Sequence, residues 1–228
     1  MTDNSKPFHI VFLLFDGITQ LDFTGPAQFL ARMPGAVIHT AAKRIQPIET
    51  DSGFAILPNS NFVDCPQADL LCVPGGFGTR DVIADPETLE FLRDQAAGAK
   101  YITSVCTGSL ALGAAGLLNG KRATSHWAYT SLLERFGAIH EKARVVKDGN
   151  VITAGGVTSG IDFALTVIAE IAGREFAKAV QLGLEYDPRP PFKSGNPDDA
   201  GPELVQLLYE RTYGAVLEKL AEIIPPGS

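Results

Sequence analysis

The sequence predicts an α/β fold, a doubly wound and mainly parallel sheet with helices on both faces, carrying a reactive thiol at one strand-to-helix junction. Three observations support this. Short, nearly continuous apolar runs alternate with helix-length patterns along most of the 228 residues, as βαβ units require when their strands are buried on both faces. The composition is that of an ordinary globular chain, 45% hydrophobic and 20% charged with 23 Gly and 15 Pro, which argues against disordered, collagen-like, coiled-coil and disulfide-scaffold classes. The apolar run 101–105 stops at Cys106, and a helical pattern starts on the next residue.

In chain order, the first strand spans 9–15 and is closed by the turn signal Asp16-Gly17. A helix at 24–32 follows, with Thr24 as its cap and Pro26 in its first turn, where a missing N–H costs nothing. Further strands are expected at 37–42, 70–73, 101–105 and 151–154, and further helices at 85–97, 107–118, 127–136 and 159–172. Asp85-Pro86-Glu87 is a cap, a helix-starting proline and an acid at the positive helix end. Asn119-Gly120 marks a turn after a helix, and residues 147–150 a hairpin tip. Residues 186–202 hold five prolines and few apolar groups, so an extended surface segment is expected there. It leads to a last amphipathic helix over 203–224, whose apolar face packs on its own domain or reaches a second subunit. The whole chain, 1–228, is expected to form one domain, with a core of about 6–185 and a proline-rich extension plus helix over 186–228.

Charge and cysteine usage narrow the function. A net charge of −7, from 26 acids against 19 bases, provides no electrostatic footprint for nucleic acid or anionic lipid. The three cysteines at 65, 72 and 106 are too few and too scattered for a disulfide framework or a zinc site, which fits a reducing, cytoplasmic setting. The apolar run 10–15 is far too short for a signal peptide core or a membrane span, so no membrane association is expected.

The chemistry centres on Cys106. A thiol on a sharp strand-to-helix turn has the geometry of a nucleophile elbow, and a helix N-terminus favours the thiolate while adjacent backbone N–H groups can hold an anion. Parallel sheets gather ligands at the carboxyl ends of their strands, so other strand ends should converge there. Pro74-Gly75-Gly76 ends one strand, and the N–H groups of Gly75 and Gly76, with that of Thr107, would form an oxyanion hole. Gly155-Gly156 ends another; Gly155 would leave space for substrate or let the Cys106 helix shift, and simple close packing explains the pair equally well. A proton partner for the thiol could be Asp16, Asp22 or His126. Asp16 is sufficiently explained by its turn; Asp22 lies among apolar neighbours that would raise its pKa; His126, lining the site, fits by residue type, and bonding neighbouring backbone while packing beside the only Trp explains it equally well. His9, His39 and His140 have no chemical context, and Cys65 and Cys72 are expected to be inert.

Together, Phe15-Asp16-Gly17, Pro74-Gly75-Gly76, the Cys106 elbow, Ser125-His126-Trp127 and the segment 153–162 resemble the ThiJ/PfpI superfamily across about residues 6–185. Within it, the chain resembles the members that hydrate isonitriles (isocyanides). The resemblance implies a flavodoxin-like sandwich, a homodimer, no metal or organic cofactor, and hydration of a small-molecule isonitrile to an N-substituted formamide through a thioimidate. It also implies Cys106 as nucleophile and Asp22 as its acid/base partner. Peptidase-like members commonly have histidine after the elbow cysteine, whereas Thr107 stands here, which argues against that hydrolytic pair. Members with deglycase activity generally use glutamate where the shorter Asp22 stands. Two competing readings have other bases. The core also occurs in AraC-type regulators, but no basic recognition helix follows it here; and a thiolate at this position would also suit a redox or ligand sensor without hydratase activity.

Overall fold

The computed structural model describes residues 6–224. In chain order the elements are β1 (Phe8–Leu13), α1 (Gln20–Leu30), β2 (Ala36–Ala42), a small ribbon of β3 (Ile48–Glu49) and β4 (Ala55–Ile56), β5 (Ser60–Asn61), β6 (Leu70–Val73), α2 (Thr79–Ile83), α3 (Pro86–Gly98), β7 (Tyr101–Val105) and α4 (Gly108–Ala114). Then come β8 (Arg122–Ala123), a 3₁₀ segment (Trp127–Phe136), β9 (Ile139–His140), β10 (Val145–Asp148), β11 (Val151–Ala154), α5 (Ser159–Ala172), α6 (Arg174–Gly183), α7 (Pro197–Ala200), α8 (Pro202–Leu208), a π-helical turn (Tyr209–Tyr213) and α9 (Gly214–Ile223).

Seven strands form one sheet in the order β10-β11-β7-β6-β1-β2-β5, parallel throughout except for the β10–β11 hairpin at one edge. Strand β1 is apolar without interruption because both its faces are covered. Val11 and Leu13 point into a core with α2, α3, α4, the 3₁₀ segment and α9, while Ile10 and Phe12 point into a second core with α1, α5 and α6. This is the α/β sandwich the alternating pattern predicts.

Several elements depart from expectation. Helix α1 begins at Gln20, four residues before the expected start, because Thr19 is already extended (φ −75°, ψ 104°) and flanks the helix. Asp22 therefore lies in the first turn of α1, and Pro26 lies inside the helix, where it removes only the N–H that would have reached the Asp22 carbonyl. Residues Trp127–Phe136 form a 3₁₀ helix, with three residues per turn, where the sequence pattern predicts an α-helix. The last helix is broken into α8, the π turn and α9. It packs on its own chain: Leu220 and Ile224 are buried in the first core, and Arg135 closes the helix end by donating to the carbonyls of Ala221 and Ile224 at 2.7 and 3.0 Å. No helix among the described residues is long and apolar enough to cross a membrane.

Candidate active site

Strand order locates the site before any side chain is considered. From β1 the chain winds outward to β2 and β5, then returns to β6 on the other side of β1, so the reversal leaves a crevice between the carboxyl ends of β1 and β6. Four segments meet there or beside it: Asp16–Asp22 after β1, Pro74–Gly76 after β6, Cys106 after β7 and Gly155–Val157 after β11.

Cys106 has a φ of +58°, a left-handed conformation that costs a residue other than glycine about 1–3 kcal/mol. Its surroundings over-determine it. The Cys106 N–H donates to the carbonyls of Ala154 (3.1 Å) and Gly155 (2.8 Å), and the hydroxyls of Ser109 (3.1 Å) and Ser125 (3.0 Å) both donate to its carbonyl. The backbone N–H groups of Val157 and Thr107 lie beside the sulfur and favour its anion. The residue is only 5% exposed. Burial and then the neighbouring Asp22 carboxyl hold the thiol well above its ordinary pKa, against those two N–H groups. This corrects the expectation of a thiol lowered by the helix end: α4 has only seven residues, and loss of solvent outweighs what its first N–H supplies.

Asp22 is fully buried. The Gly75 N–H donates to its Oδ2 at 2.9 Å, and Oδ1 makes no hydrogen bond of good geometry. Burial raises this carboxyl from 3.8 to about 7, with a small further push from Asp51, while the Gly75 N–H and the Cys106 thiol act in the opposite direction. Asp22 and Cys106 thus behave as a coupled pair. Losing one proton from the pair leaves a carboxylate facing a thiol, and moving the remaining proton across creates a thiolate beside a carboxylic acid.

Backbone donors are placed differently from the expected oxyanion hole. The Gly75 N–H is engaged by Asp22, and the Gly76 N–H donates to Thr107 Oγ1 at 3.0 Å. Thr107 Oγ1 also shares a hydrogen bond of 2.8 Å with Thr79 Oγ1. In the ligand-free site, therefore, Gly75 and Gly76 position the acid and the elbow, and the N–H groups of Thr107 and Val157 serve the sulfur. The absence of a side chain at Gly75 is needed for this, since a methyl there would overlap Thr107 and press on Asp22.

His126 caps the 3₁₀ segment, its Nδ1 accepting the Ala128 N–H at 3.3 Å, which leaves the proton on Nε2 in the neutral ring. Burial lowers its pKa to about 4, so at neutral pH the ring is uncharged where it lines the pocket. Gly156 fits beneath this ring, where a methyl would come within 2.6 Å of Cδ2. Gly155 has no such neighbour closer than 3.7 Å; its carbonyl anchors Cys106. The remaining candidates lie apart. Asp16 Oδ1 accepts the Glu49 N–H at 2.9 Å in its turn; His9 and His39 pair at 2.9 Å between β1 and β2; and His140 is exposed on β9. Cys72, buried in β6, is pushed up to about 12, and half-buried Cys65 is also raised by burial.

Above the Cys106 sulfur is a pocket of about 170 Å³, walled by Phe77, Tyr129, Val157, Tyr213, Val216 and Leu220, with Asp51 and Arg80 at its edge. It suits a small molecule with an apolar substituent. Sequence reasoning missed Thr79, Tyr129, Val157 and Tyr213. Val157 was legible as the residue that follows the Gly155-Gly156 turn, and Tyr129 as the residue one 3₁₀ turn beyond His126; Tyr213 arrives from a helix distant in sequence. Among the described residues, no group of three or more His, Cys, Asp and Glu side chains gathers to hold a metal ion.

A model of the DJ-1/PfpI family matches residues 8–170. The isonitrile hydratase of Pseudomonas putida is 54% identical over 202 residues, 89% of this chain and 89% of that protein. The crystal structure of a ThiJ/PfpI family protein from Pseudomonas syringae superposes with a TM-score of 0.92 at 41% identity, covering 98% of this chain and 97% of that one. The HTH-type transcriptional regulator GbdR of Pseudomonas aeruginosa is 30% identical over 192 residues, which are 81% of this chain and 52% of the regulator.

Proposed function

The chain belongs to the DJ-1/PfpI family, and from that premise we propose that it is an isonitrile hydratase, a hydro-lyase adding water to an isonitrile to give an N-substituted formamide. The observation that carries this reading is the buried Cys106–Asp22 pair, whose cysteine lines an apolar pocket with the carboxyl buried behind it. Isonitrile hydration needs a nucleophile for the terminal carbon and an acid for the same carbon, and the pair supplies both from one shared proton.

The cycle starts from the singly protonated pair. The Cys106 proton passes to Asp22 as the thiolate forms a bond to the isonitrile carbon, and Asp22 then protonates that carbon, leaving a thioimidate and an Asp22 carboxylate. Water adds to the carbon. Asp22 takes a proton from the water and passes it to the nitrogen, so that the intermediate carries N–H, O–H and the thioether. Collapse breaks the C–S bond, returns the hydroxyl proton to Asp22 and frees the thiolate with the formamide. The N–H groups of Thr107 and Val157 hold the sulfur whenever it is anionic. Gly75 holds Asp22 in place, and Thr107 Oγ1 with Gly76 fixes the elbow.

The same reading takes the chain as one domain acting as a cytoplasmic homodimer without cofactor. Two features weigh against the alternatives. A thiol that is 5% exposed and held protonated is a poor target for oxidation, which disfavours a redox sensor. The net charge of −7 provides no electrostatic footprint for DNA, which disfavours a DNA-binding regulator. The test is to incubate the purified protein with aryl and alkyl isonitriles and follow formamide by chromatography. Catalytic formamide formation is expected, and none across the panel would refute the assignment.

A further inference from the structure

We propose that Tyr129 is a further catalytic residue, its hydroxyl donating a hydrogen bond to the nitrogen of the Cys106-bound thioimidate and so accelerating the addition of water. This rests on the isonitrile reading above. Tyr129 is 4% exposed and lines the same pocket as Cys106, yet its hydroxyl is buried with no hydrogen-bond partner among the described residues. Three other buried side-chain atoms share that condition. Two are the hydroxyls of Ser104 and Ser159, which lie outside the pocket wall, and the third is Oδ1 of Asp22, already assigned. A buried donor left unpaired is destabilising until a ligand supplies its acceptor.

The tyrosine is held for that purpose. Its ring packs edge-on against Tyr213, with centroids 5.9 Å apart and planes at 83°, and tilted against His126 at 5.6 Å. These contacts hold the ring in the pocket wall. The backbone donors around the elbow are engaged, with Gly75 on Asp22, Gly76 on Thr107, and Thr107 and Val157 beside the sulfur. The imidazole edge of His126 is turned to Gly156. The pocket wall also holds the Nε2–H of His126 and the hydroxyl of Tyr213, but of these donors only the Tyr129 hydroxyl is buried without a partner. When water attacks, the C=N bond becomes single and charge develops on nitrogen, where a fixed donor in a buried setting is most effective. Burial raises the phenol pKa, with Tyr213, Cys106 and Tyr209 adding to it, so Tyr129 keeps its proton throughout. The proton that nitrogen finally carries comes from water through Asp22.

The test is Tyr129→Phe, which removes the hydroxyl and keeps the ring, assayed with an aryl isonitrile beside the wild type. Expected results are a kcat lowered on the order of a hundredfold with little change in KM, an acid-quenched protein heavier by one substrate mass as the thioimidate accumulates, and an undiminished melting temperature. A kcat within about twofold of an active wild type overturns the assignment to Tyr129 alone. Lost turnover without the adduct also overturns it, because the fault would then lie before water addition. A wild type that forms no formamide overturns the isonitrile reading, and this inference with it.

Discussion

Replacing Asp22 by asparagine separates what the carboxyl does for chemistry from what it costs the fold. The side chain is fully buried, and its pKa rises from 3.8 to about 7 on folding. The folded carboxyl therefore holds its proton more tightly than the unfolded one, so stability falls as pH rises between about 4 and about 7 and is flat above that window. The total loss amounts to about 4 kcal/mol. The amide side chain of the variant has nearly the same shape, can still accept the Gly75 N–H through its oxygen, and carries no charge at any pH. The two proteins are expected to have similar stability near pH 4, with Asp22→Asn gaining up to about 4 kcal/mol over the wild type near pH 8. Other titrating groups cancel in the difference. Urea unfolding by linear extrapolation at several pH values measures it, while formamide assays on the same samples should show turnover abolished. A stability difference that stays constant from about pH 4 to pH 8 would show that Asp22 is not desolvated as its position indicates.

The same pair sets the pH dependence of catalysis. Because the reactive form carries one proton fewer than the fully protonated pair, kcat/KM is expected to rise with pH through an apparent pKa of about 7, and a flat profile across that region would contradict this. At Cys106, where φ is +58°, glycine relieves backbone strain that alanine retains, so Cys106→Gly is expected to unfold at higher denaturant than Cys106→Ala, by about 1 kcal/mol. Equal stability would mean the elbow relaxes in the variants. Thr107→Val removes the acceptor of the Gly76 N–H and the partner of Thr79, at a cost of about 1–3 kcal/mol together with lowered kcat; Thr107→Ser keeps both bonds and should restore most of each, which thermal melts and rate assays can check.

The strands were the most legible part of the fold. Residues Leu70–Val73, Tyr101–Val105 and Val151–Ala154 form strands over the spans their apolar runs mark, because a parallel strand covered on both faces writes itself as uninterrupted hydrophobicity. What was hidden had physical reasons. Two-residue strands such as β5 and β8 leave no periodicity to detect, and the start of α1 was obscured by Pro26, which looked like a first-turn proline while standing inside the helix. At the site, Cys106, Gly75, Gly76, Thr107 and Gly155 announce themselves as strand ends and small-residue turns, Asp22 as a carboxyl among apolar neighbours and His126 by residue type. Their hydrogen-bond assignments depend on three-dimensional competition, and so does the direction of the Cys106 pKa. An elbow next to a helix suggests a lowered thiol, and only the buried setting and adjacent carboxyl show that burial prevails. Tyr213, Val216 and Leu220 reach the pocket from the far end of the chain, a contact local patterning cannot encode.

The central claim is that Cys106 attacks the isonitrile carbon. Its most direct test is to mix wild type and Cys106→Ala with the same aryl isonitrile, measure formamide over time, and weigh the acid-quenched proteins. The wild type is expected to turn over and to carry a transient adduct of one substrate mass at Cys106, with Cys106→Ala showing neither. Substantial formamide formation by Cys106→Ala would contradict the claim.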